Sequence, residues 1–290
     1  MKQLLILSGK GGTGKTTIAS AFIKLSNAKL YADCDVDAPN LHLITRQNTE
    51  PEVSDYYGLP IAEIDPQICI RCDQCRRNCR FDAIKADRIY KVDPYACEGC
   101  GVCQVLCPTD AIVLKPAVAG EIRLYASEQE VFSTAQLRMG SGTSGKLVTD
   151  VKNQMKSAAV DAKCAIIDGS PGIGCPVIAS LSGVDLALIV AEPSMSGLSD
   201  MERIIKTAKM FGTKIAVCIN KFDTNLQITE RIEAFCKQQG LDFVGRIPFD
   251  WEAVKAINKG QTIVDVKCPS GDAAKDIYHK TMELLYDESG

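Results

Sequence analysis

Leu4 to Leu7 is a short apolar run that ends at Ser8 and passes into Gly9-Lys10-Gly11-Gly12-Thr13-Gly14-Lys15-Thr16. From Lys15 to Ser26 apolar side chains return at helical spacing, as Ile18, Ala19, Phe22, Ile23 and Leu25. Strand, glycine loop and helix in this order satisfy GxxxxGK(S/T) in the context that binds phosphate. The glycines let backbone amides converge on phosphate oxygens, and the helix N-terminus adds partial positive charge. Lys15 is placed to reach the β and γ phosphates, and Thr16 to ligate Mg²⁺. Such a loop needs a buried strand end on one side and a helix start on the other, which commits the chain to an α/β fold.

The rest of the chain keeps to that plan with one interruption. Leu30 to Ala32 is a second short strand, ending in the acidic turn Asp33-Cys34-Asp35. Residues 45–66 are polar and broken by Pro51, Pro60 and Pro66, and a cysteine-rich segment follows to about residue 116. A strand is expected over 121–125 and a helix over 146–159. Strands then alternate (164–168, 185–190, 214–219, 242–247) with helices (174–182, 197–211, 225–239, 252–259, 272–286). Apolar strands alternating with helices imply a mostly parallel sheet covered on both faces. The expected organisation is an α/β P-loop domain over 1–60 and 117–290, with an inserted α+β domain over 61–116.

Composition narrows the function classes. Of 290 residues, 46% are hydrophobic and 24% charged, which excludes disorder over most of the chain. A net charge of -3 gives no reason to expect nucleic acid as a partner. No apolar run approaches the roughly 20 residues of a membrane span. The N-terminal apolar run is too short for a signal peptide, so a cytoplasmic protein without membrane insertion is expected.

Fourteen cysteines stand out, eight of them between Cys69 and Cys107. Their spacing is Cys69-x2-Cys72-x2-Cys75-x3-Cys79, then Cys97-x2-Cys100-x2-Cys103-x3-Cys107-Pro108. The halves repeat at 28 residues, and Asp82-Ala83-Ile84 echoes Asp110-Ala111-Ile112. This matches the bacterial two-cluster ferredoxin pattern. Three close thiolates wrap three corners of a cubane and the fourth crosses to the other cluster. Cys69, Cys72, Cys75 and Cys107 are thus expected to hold one 4Fe–4S cluster, and Cys97, Cys100, Cys103 and Cys79 the other. Zinc is the competing reading, although zinc sites prefer isolated cysteine pairs. Arg80 replaces the proline usual after the first half's fourth cysteine, and Arg71, Arg76 and Arg77 are close in sequence. Four readings of this charge stay open: raising a cluster potential, offsetting thiolate charge, docking an acidic electron donor, or a solvated basic face. Phe81, Tyr90 and Tyr95 are expected to pack around the clusters.

The second lysine of the loop, Lys10, makes it a deviant Walker A sequence, KGGTGKT. With the motifs that follow, the chain resembles the MinD/ParA/nitrogenase-iron-protein class of dimerising ATPases, here with an inserted ferredoxin domain. The resemblance implies ATP/ADP and Mg²⁺ as ligands, and a nucleotide-dependent homodimer in which Lys10 reaches the partner's nucleotide. It implies that Gly11, Gly12, Thr13, Gly14, Lys15, Thr16 and Thr17 bind the nucleotide. Asp35, in the switch I segment Asp33-Cys34-Asp35-Val36-Asp37, would orient the attacking water; Asp37 is the second candidate for that role, its alternative being a turn cap. Ala165-Ile166-Ile167-Asp168 fits the Walker B strand, with Asp168 holding Mg²⁺ through water. In switch II, Gly169-Ser170-Pro171-Gly172, the Gly172 amide would meet the γ-phosphate. Asn220-Lys221-Phe222-Asp223 fits the guanine-recognition string NKxD, but the equivalent Asn of this class contacts adenine and the deviant loop favours ATP. Pro248 and Asp250 either close over the base or form a plain loop.

Six cysteines lie outside the quartets: Cys34, Cys164, Cys175, Cys218, Cys236 and Cys268. Cys175 follows switch II, where the nitrogenase iron protein carries a cluster ligand; a buried thiol at a helix start is the other reading. The CxxC near the C-terminus of related cluster carriers is missing, and Cys268 stands alone. Three roles follow. In the first, ATP binding and hydrolysis gate electron transfer through the two clusters to a partner protein. In the second, the chain is an ATP-dependent carrier or assembly factor for a cluster or metallocofactor. In the third it is a MinD-like spatial regulator with structural clusters. The helix from Asp272 to Tyr286 lacks a basic amphipathic face and runs into 287–290, which argues against membrane attachment.

Overall fold

The computed structural model describes residues 1–47, 49–157 and 160–287. In chain order the first half comprises β1 (Lys2–Leu7), α1 (Lys15–Ser26), β2 (Leu30–Asp33), β3 (Glu52–Tyr57), β4 (Ile61–Ile64), α2 (Gln74–Arg77), β5 (Ile84–Ala86), β6 (Tyr90–Val92), α3 (Val102–Val105) and β7 (Ile112–Lys115). The second half comprises β8 (Val118–Ala126), β9 (Val131–Leu137), α4 (Ser144–Ser157), β10 (Cys164–Asp168), α5 (Cys175–Leu181), β11 (Leu186–Ala191), α6 (Met195–Met210), β12 (Lys214–Asn220), α7 (Leu226–Gln238), β13 (Asp242–Ile247), α8 (Trp251–Asn258) and α9 (Pro269–Tyr286). The chain divides into two compact units, one of Met1–Val53, Ile122–Ala135 and Gly145–Gly290, the other of Ser54–Glu121 and Gln136–Ser144.

A nine-stranded sheet runs in the order β13-β12-β11-β1-β10-β2-β9-β8-β3, and its pairings from β13 to β9 are all parallel. β11 and the Leu4–Leu7 part of β1 are continuous apolar runs because strands of a parallel sheet are covered on both faces; Leu4 to Leu7 have no exposed surface. Register decides where the chemistry falls. Ile6 pairs with Asp168, and Asp168 with Asp33, so the carboxyl ends of β1, β10 and β2 lie side by side. Such ends are where open α/β sheets bind ligands. Lys152 of α4 donates to the carbonyls of Ala179, Ser180 and Ser182, satisfying the C-terminal end of α5 with a cation.

Two strands of this sheet escaped the sequence reading. β9 is almost wholly buried, but Ser133 and Thr134 interrupt its apolar run; the Ser133 hydroxyl donates to Gln154 at 2.6 Å. β3 is an edge strand with only Tyr56 buried, so it lacks a hydrophobic signature. The helix expected over 146–159 runs from Ser144 to Ser157, and positions 158 and 159 lie outside the described residues, as do 288–290 of the tail. The final helix starts at Pro269 rather than 272, since proline is accommodated in a first turn. No helix among the described residues is long and apolar enough to cross a membrane.

The second unit contains two short antiparallel pairs, β4 with β7 and β5 with β6, and the four-residue helices α2 and α3. Its core is Ala62, Ile64, Cys75, Ile84 and Ile112, against which Cys69, Cys79, Cys97, Cys103 and Cys107 pack. The 28-residue repeat is visible in the backbone. Arg71 (φ 57°) and Asp73 (φ 66°) are left-handed, as are their repeat equivalents Gly99 (φ 61°) and Gly101 (φ 78°). Asp82 (φ 50°) and Asp110 (φ 54°) form a third such pair.

Candidate functional site

The loop between β1 and α1 turns on Gly12 and Gly14, at φ 79° and 92°. Gly14 has a second reason to be glycine, because a Cβ there would lie 2.1 Å from the Asn220 amide nitrogen. Asn220 ends β12, and its Nδ2 donates to the Thr13 carbonyl at 2.7 Å while its Oδ1 accepts from Lys221 N at 3.0 Å. The loop is thereby tied to a strand two positions across the sheet. One N–H and one lone pair of the Asn220 amide remain free of these bonds.

Lys15 opens α1 and is buried. Its Nζ lies 2.5 Å from Asp168 Oδ1 and 3.9 Å from Asp35 Oδ2. Burial works against its charge, yet the carboxylates of Asp168, Asp33 and Asp35 together hold its pKa above the ordinary lysine value. Asp33, fully buried at the end of β2, accepts the backbone N–H groups of Asp35, Asn40 and Leu41 at 2.9–3.0 Å and so fixes the loop carrying Asp35. Burial, then the neighbouring Asp168 charge, pushes the Asp33 carboxyl up. Burial likewise raises Asp35 to about 6, against the pull of Lys15. Three carboxyls around one lysine leave an excess of negative charge.

That excess fits a cation. Asp168 Oδ2 and the Thr13 hydroxyl are buried without a hydrogen-bond partner. Asp168 and the Thr16 hydroxyl both meet Lys15 Nζ, at 2.5 and 3.5 Å, and an orphaned carboxylate oxygen with a hydroxyl is the kind of hard oxygen donor that Mg²⁺ takes. The Ser170 hydroxyl donates to the Cys34 carbonyl, and Gly172, at φ 95°, donates its N–H to the Ser8 carbonyl at 3.0 Å. The segment from Ser170 to Gly172 is thus fastened to the end of β1 and to the turn after β2.

A cavity of about 640 Å³ opens over this cluster, lined by Lys10, Gly11 to Thr17, Asp35, Asn220, Pro248 and Asp250 among others. Its far wall is apolar: Ile247, Phe249, Ala253, Val254, Ile257 and Ile263. None of these was singled out in sequence, where the eight-residue α8 is one more amphipathic segment. Asp250 faces the cavity but its carboxylate is engaged, capping α8 at Glu252 N (2.9 Å) and holding Ser270 N (3.2 Å). Asp223, the acid of the NKxD string, holds Phe249 N at 2.8 Å. Lys10 points to Glu192 just past β11, at 2.7 Å, with the Ser194 and Ser196 hydroxyls at 3.3 and 3.4 Å.

In the second unit the cysteines fall into two separate hollows. One is lined by Cys69, Cys72, Cys75 and Cys107, together with Arg71, Asp73 and Tyr90. The other is lined by Cys79, Cys97, Cys100 and Cys103, together with Phe81 and Glu98. Each takes three thiols from one half of the repeat and one from the other. Cys107 Sγ also accepts the Ala111 N–H at 3.3 Å, a bond that favours a thiolate. Among the described residues no three His, Cys, Asp or Glu side chains close on a point where one metal ion would sit; the thiols line the hollows instead. Hollows bounded by four sulfurs fit a cluster with four corners. Tyr90 lies beside the first hollow and Phe81 beside the second, whereas Tyr95 is 83% exposed. Cys175 is exposed at the first residue of α5, not in a core.

The family described as the CobQ/CobB/MinD/ParA nucleotide-binding domain matches residues 4–263. The chain is 35% identical over 289 residues to the uncharacterized protein MJ0578 of Methanocaldococcus jannaschii, covering 98% of this chain and 97% of that one. It is 24% identical over 301 residues to the iron-sulfur cluster carrier protein of the same organism, covering 98% and 84%. Its fold matches that of the septum site-determining protein MinD complexed with Mg-ADP from Pyrococcus horikoshii OT3, with a TM-score of 0.58 at 17% identity over 98% and 97% of the two chains.

Proposed function

The chain belongs to the CobQ/CobB/MinD/ParA family and is a P-loop ATPase of the MinD/ParA type, and on that premise we propose that it couples ATP binding and hydrolysis to electron transfer through two 4Fe–4S clusters to a partner protein. The observation that carries this reading is the crosswise composition of the two thiol hollows. Such clusters supply one-electron chemistry at low potential. The inserted domain of this reading is ferredoxin-like and centred on residues 61–116.

The nucleotide site supports specific roles. With β and γ phosphates bound, Lys15 would have a stronger partner than Asp168, and that carboxylate, through water, and Thr16 would hold Mg²⁺. Asp35 orients the attacking water, and the Gly172 N–H exchanges the Ser8 carbonyl for the γ-phosphate. The base enters the apolar end of the cavity beside Pro248. The spare N–H and lone pair of Asn220 match N7 and the exocyclic amine of adenine. Asp223, the acid that would read guanine in the NKxD string, holds Phe249 N and does not line the cavity, which favours adenine. Lys10 leaves Glu192 to reach the nucleotide of a second copy, giving a nucleotide-dependent homodimer.

An anaerobic EPR-monitored redox titration, with and without Mg²⁺ and a non-hydrolysable ATP analogue, tests the proposal. Two cluster signals with a nucleotide-dependent shift in potential are expected. Signals indifferent to nucleotide overturn the coupling. They favour the second reading, a cluster carrier, which the 24% identical relative of that name supports. Transfer of a cluster to an apo-ferredoxin on ATP hydrolysis is the result specific to that reading.

A further inference from the structure

The two halves of the cysteine unit share a backbone and differ in charge. Between residues 71 and 88 there are six basic and three acidic residues; between their repeat equivalents, 99 and 116, there are one basic and one acidic. The difference is systematic. The repeat equivalents of Arg71, Arg76, Arg77 and Arg80 are Gly99, Gln104, Val105 and Pro108, and that of Lys85 is Val113. The second half therefore shows that this fold does not require the positive charges.

Three of them act against the fold. Arg71 holds a left-handed φ of 57° where its twin is glycine, a conformation costly for a side chain with a Cβ. Lys85 and Lys91 stand directly opposite each other across the β5–β6 pair, and like charges at such positions repel. Nor is the charge neutralised locally. Asp73 alone serves both Arg76, bidentate at 2.6 and 2.7 Å, and Arg77 at 3.2 Å, while also accepting from Tyr90. Among the described residues no carboxylate pairs with Arg71, Arg80, Lys85 or Lys91, and all four are exposed. Arg71 lines the hollow of Cys69, Cys72, Cys75 and Cys107, while Arg80, Lys85 and Lys91 adjoin Cys79, Ile84 and Val92 of the other, so the basic residues border both thiol hollows.

We propose that this first-half face is the docking surface for an acidic electron-carrier protein. The inference rests on the reading of the unit as the seat of two clusters. Unpaired cations bordering the thiol hollows steer an acidic partner to this unit and bring its redox centre close to a cluster. In the exchange one electron leaves the reduced carrier and enters the cluster, and no bond is made or broken.

The test uses the full-length protein, reconstituted anaerobically, with an acidic flavodoxin as the probe. Calorimetric binding is compared at about 50 and about 300 mM salt, across which the screening length falls by roughly half. Binding that weakens about tenfold with salt is expected. The variant Arg71→Gly/Arg76→Gln/Lys85→Val copies the second half and should lose at least about tenfold at low salt. Its iron and sulfide content and its ATPase rate should stay unchanged. Arg71→Gly alone relieves backbone strain, so its thermal midpoint should not fall while its affinity does. Binding equal to wild type in both variants overturns the proposal. So does tighter, variant-sensitive binding of single-stranded DNA or anionic vesicles, which would make the face a general polyanion site. Failure to assemble clusters counts against the cluster reading and is separately visible in the iron content.

Discussion

Lys10 and Glu192 form an ion pair within one chain, 2.7 Å between Nζ and Oε2, both side chains partly exposed. A pair in that setting is worth no more than about 1 kcal/mol. It holds the lysine away from open solvent without preventing its release. Glu192→Gln should therefore favour the ATP-dependent dimer, by up to about fivefold. Lys10→Ala should abolish that dimer. Light scattering with a non-hydrolysable ATP analogue reads both, and an undiminished dimer in Lys10→Ala removes the proposed reach into a partner.

Gly14 lies against Asn220 with no space for a methyl group, at a φ that favours glycine. Gly14→Ala should push the Asn220 amide off the Thr13 carbonyl and weaken nucleotide binding by more than about 100-fold, as two or more hydrogen bonds and the loop conformation go together. Trp251, the single tryptophan, packs edge-on to Phe249 of the cavity wall with centroids 5.2 Å apart. Its emission on titration with MgATP reports the loss.

Asp35 couples function to pH. Its pKa is raised from 3.8 to about 6 by burial, so between about pH 4 and 6 the folded protein binds more protons than the unfolded chain. Its contribution to stability is present below pH 4 and lost as pH rises through 6. Asp35→Asn should make the nucleotide-free protein more stable than wild type at pH 7.5, with the difference vanishing near pH 3.5. The same variant should bind MgATP and fail to release phosphate. Thermal melts across pH and a phosphate assay check the two halves; normal phosphate release excludes Asp35 from positioning water.

Cys107 belongs to the second half of the repeat but lines the hollow of the first. Cys107→Ser should lower iron content toward one cluster per chain. Adding Cys69→Ser should then cost no more iron, whereas adding Cys100→Ser should remove the remainder, because changes that disable one site do not add. Equal further losses from both additions would break the crosswise grouping.

Some of this was readable from local patterns. The glycine loop announces itself because its strand, turn and helix are contiguous, and the cysteine quartets because their spacing is short and repeated. β3 and β9 were not readable. An edge strand with one buried residue has no periodicity, and a buried strand carrying Ser133 and Thr134 disguises its burial.

The sequence by itself determined an α/β chain with a phosphate loop after its first strand and two cysteine quartets inside an interruption. Those features depend on residues a few positions apart. Tertiary structure alone decided that Asp33, not singled out before, is buried beneath Lys15 and pins the Asp35 loop, and that Glu192 receives Lys10. It also decided that α8 supplies the apolar wall. Lys15 meets Asp168 across 153 residues of chain. Such meetings are set by parallel register, which places Ile6, Asp168 and Asp33 in one row, and register is a property of paired strands rather than of any one segment.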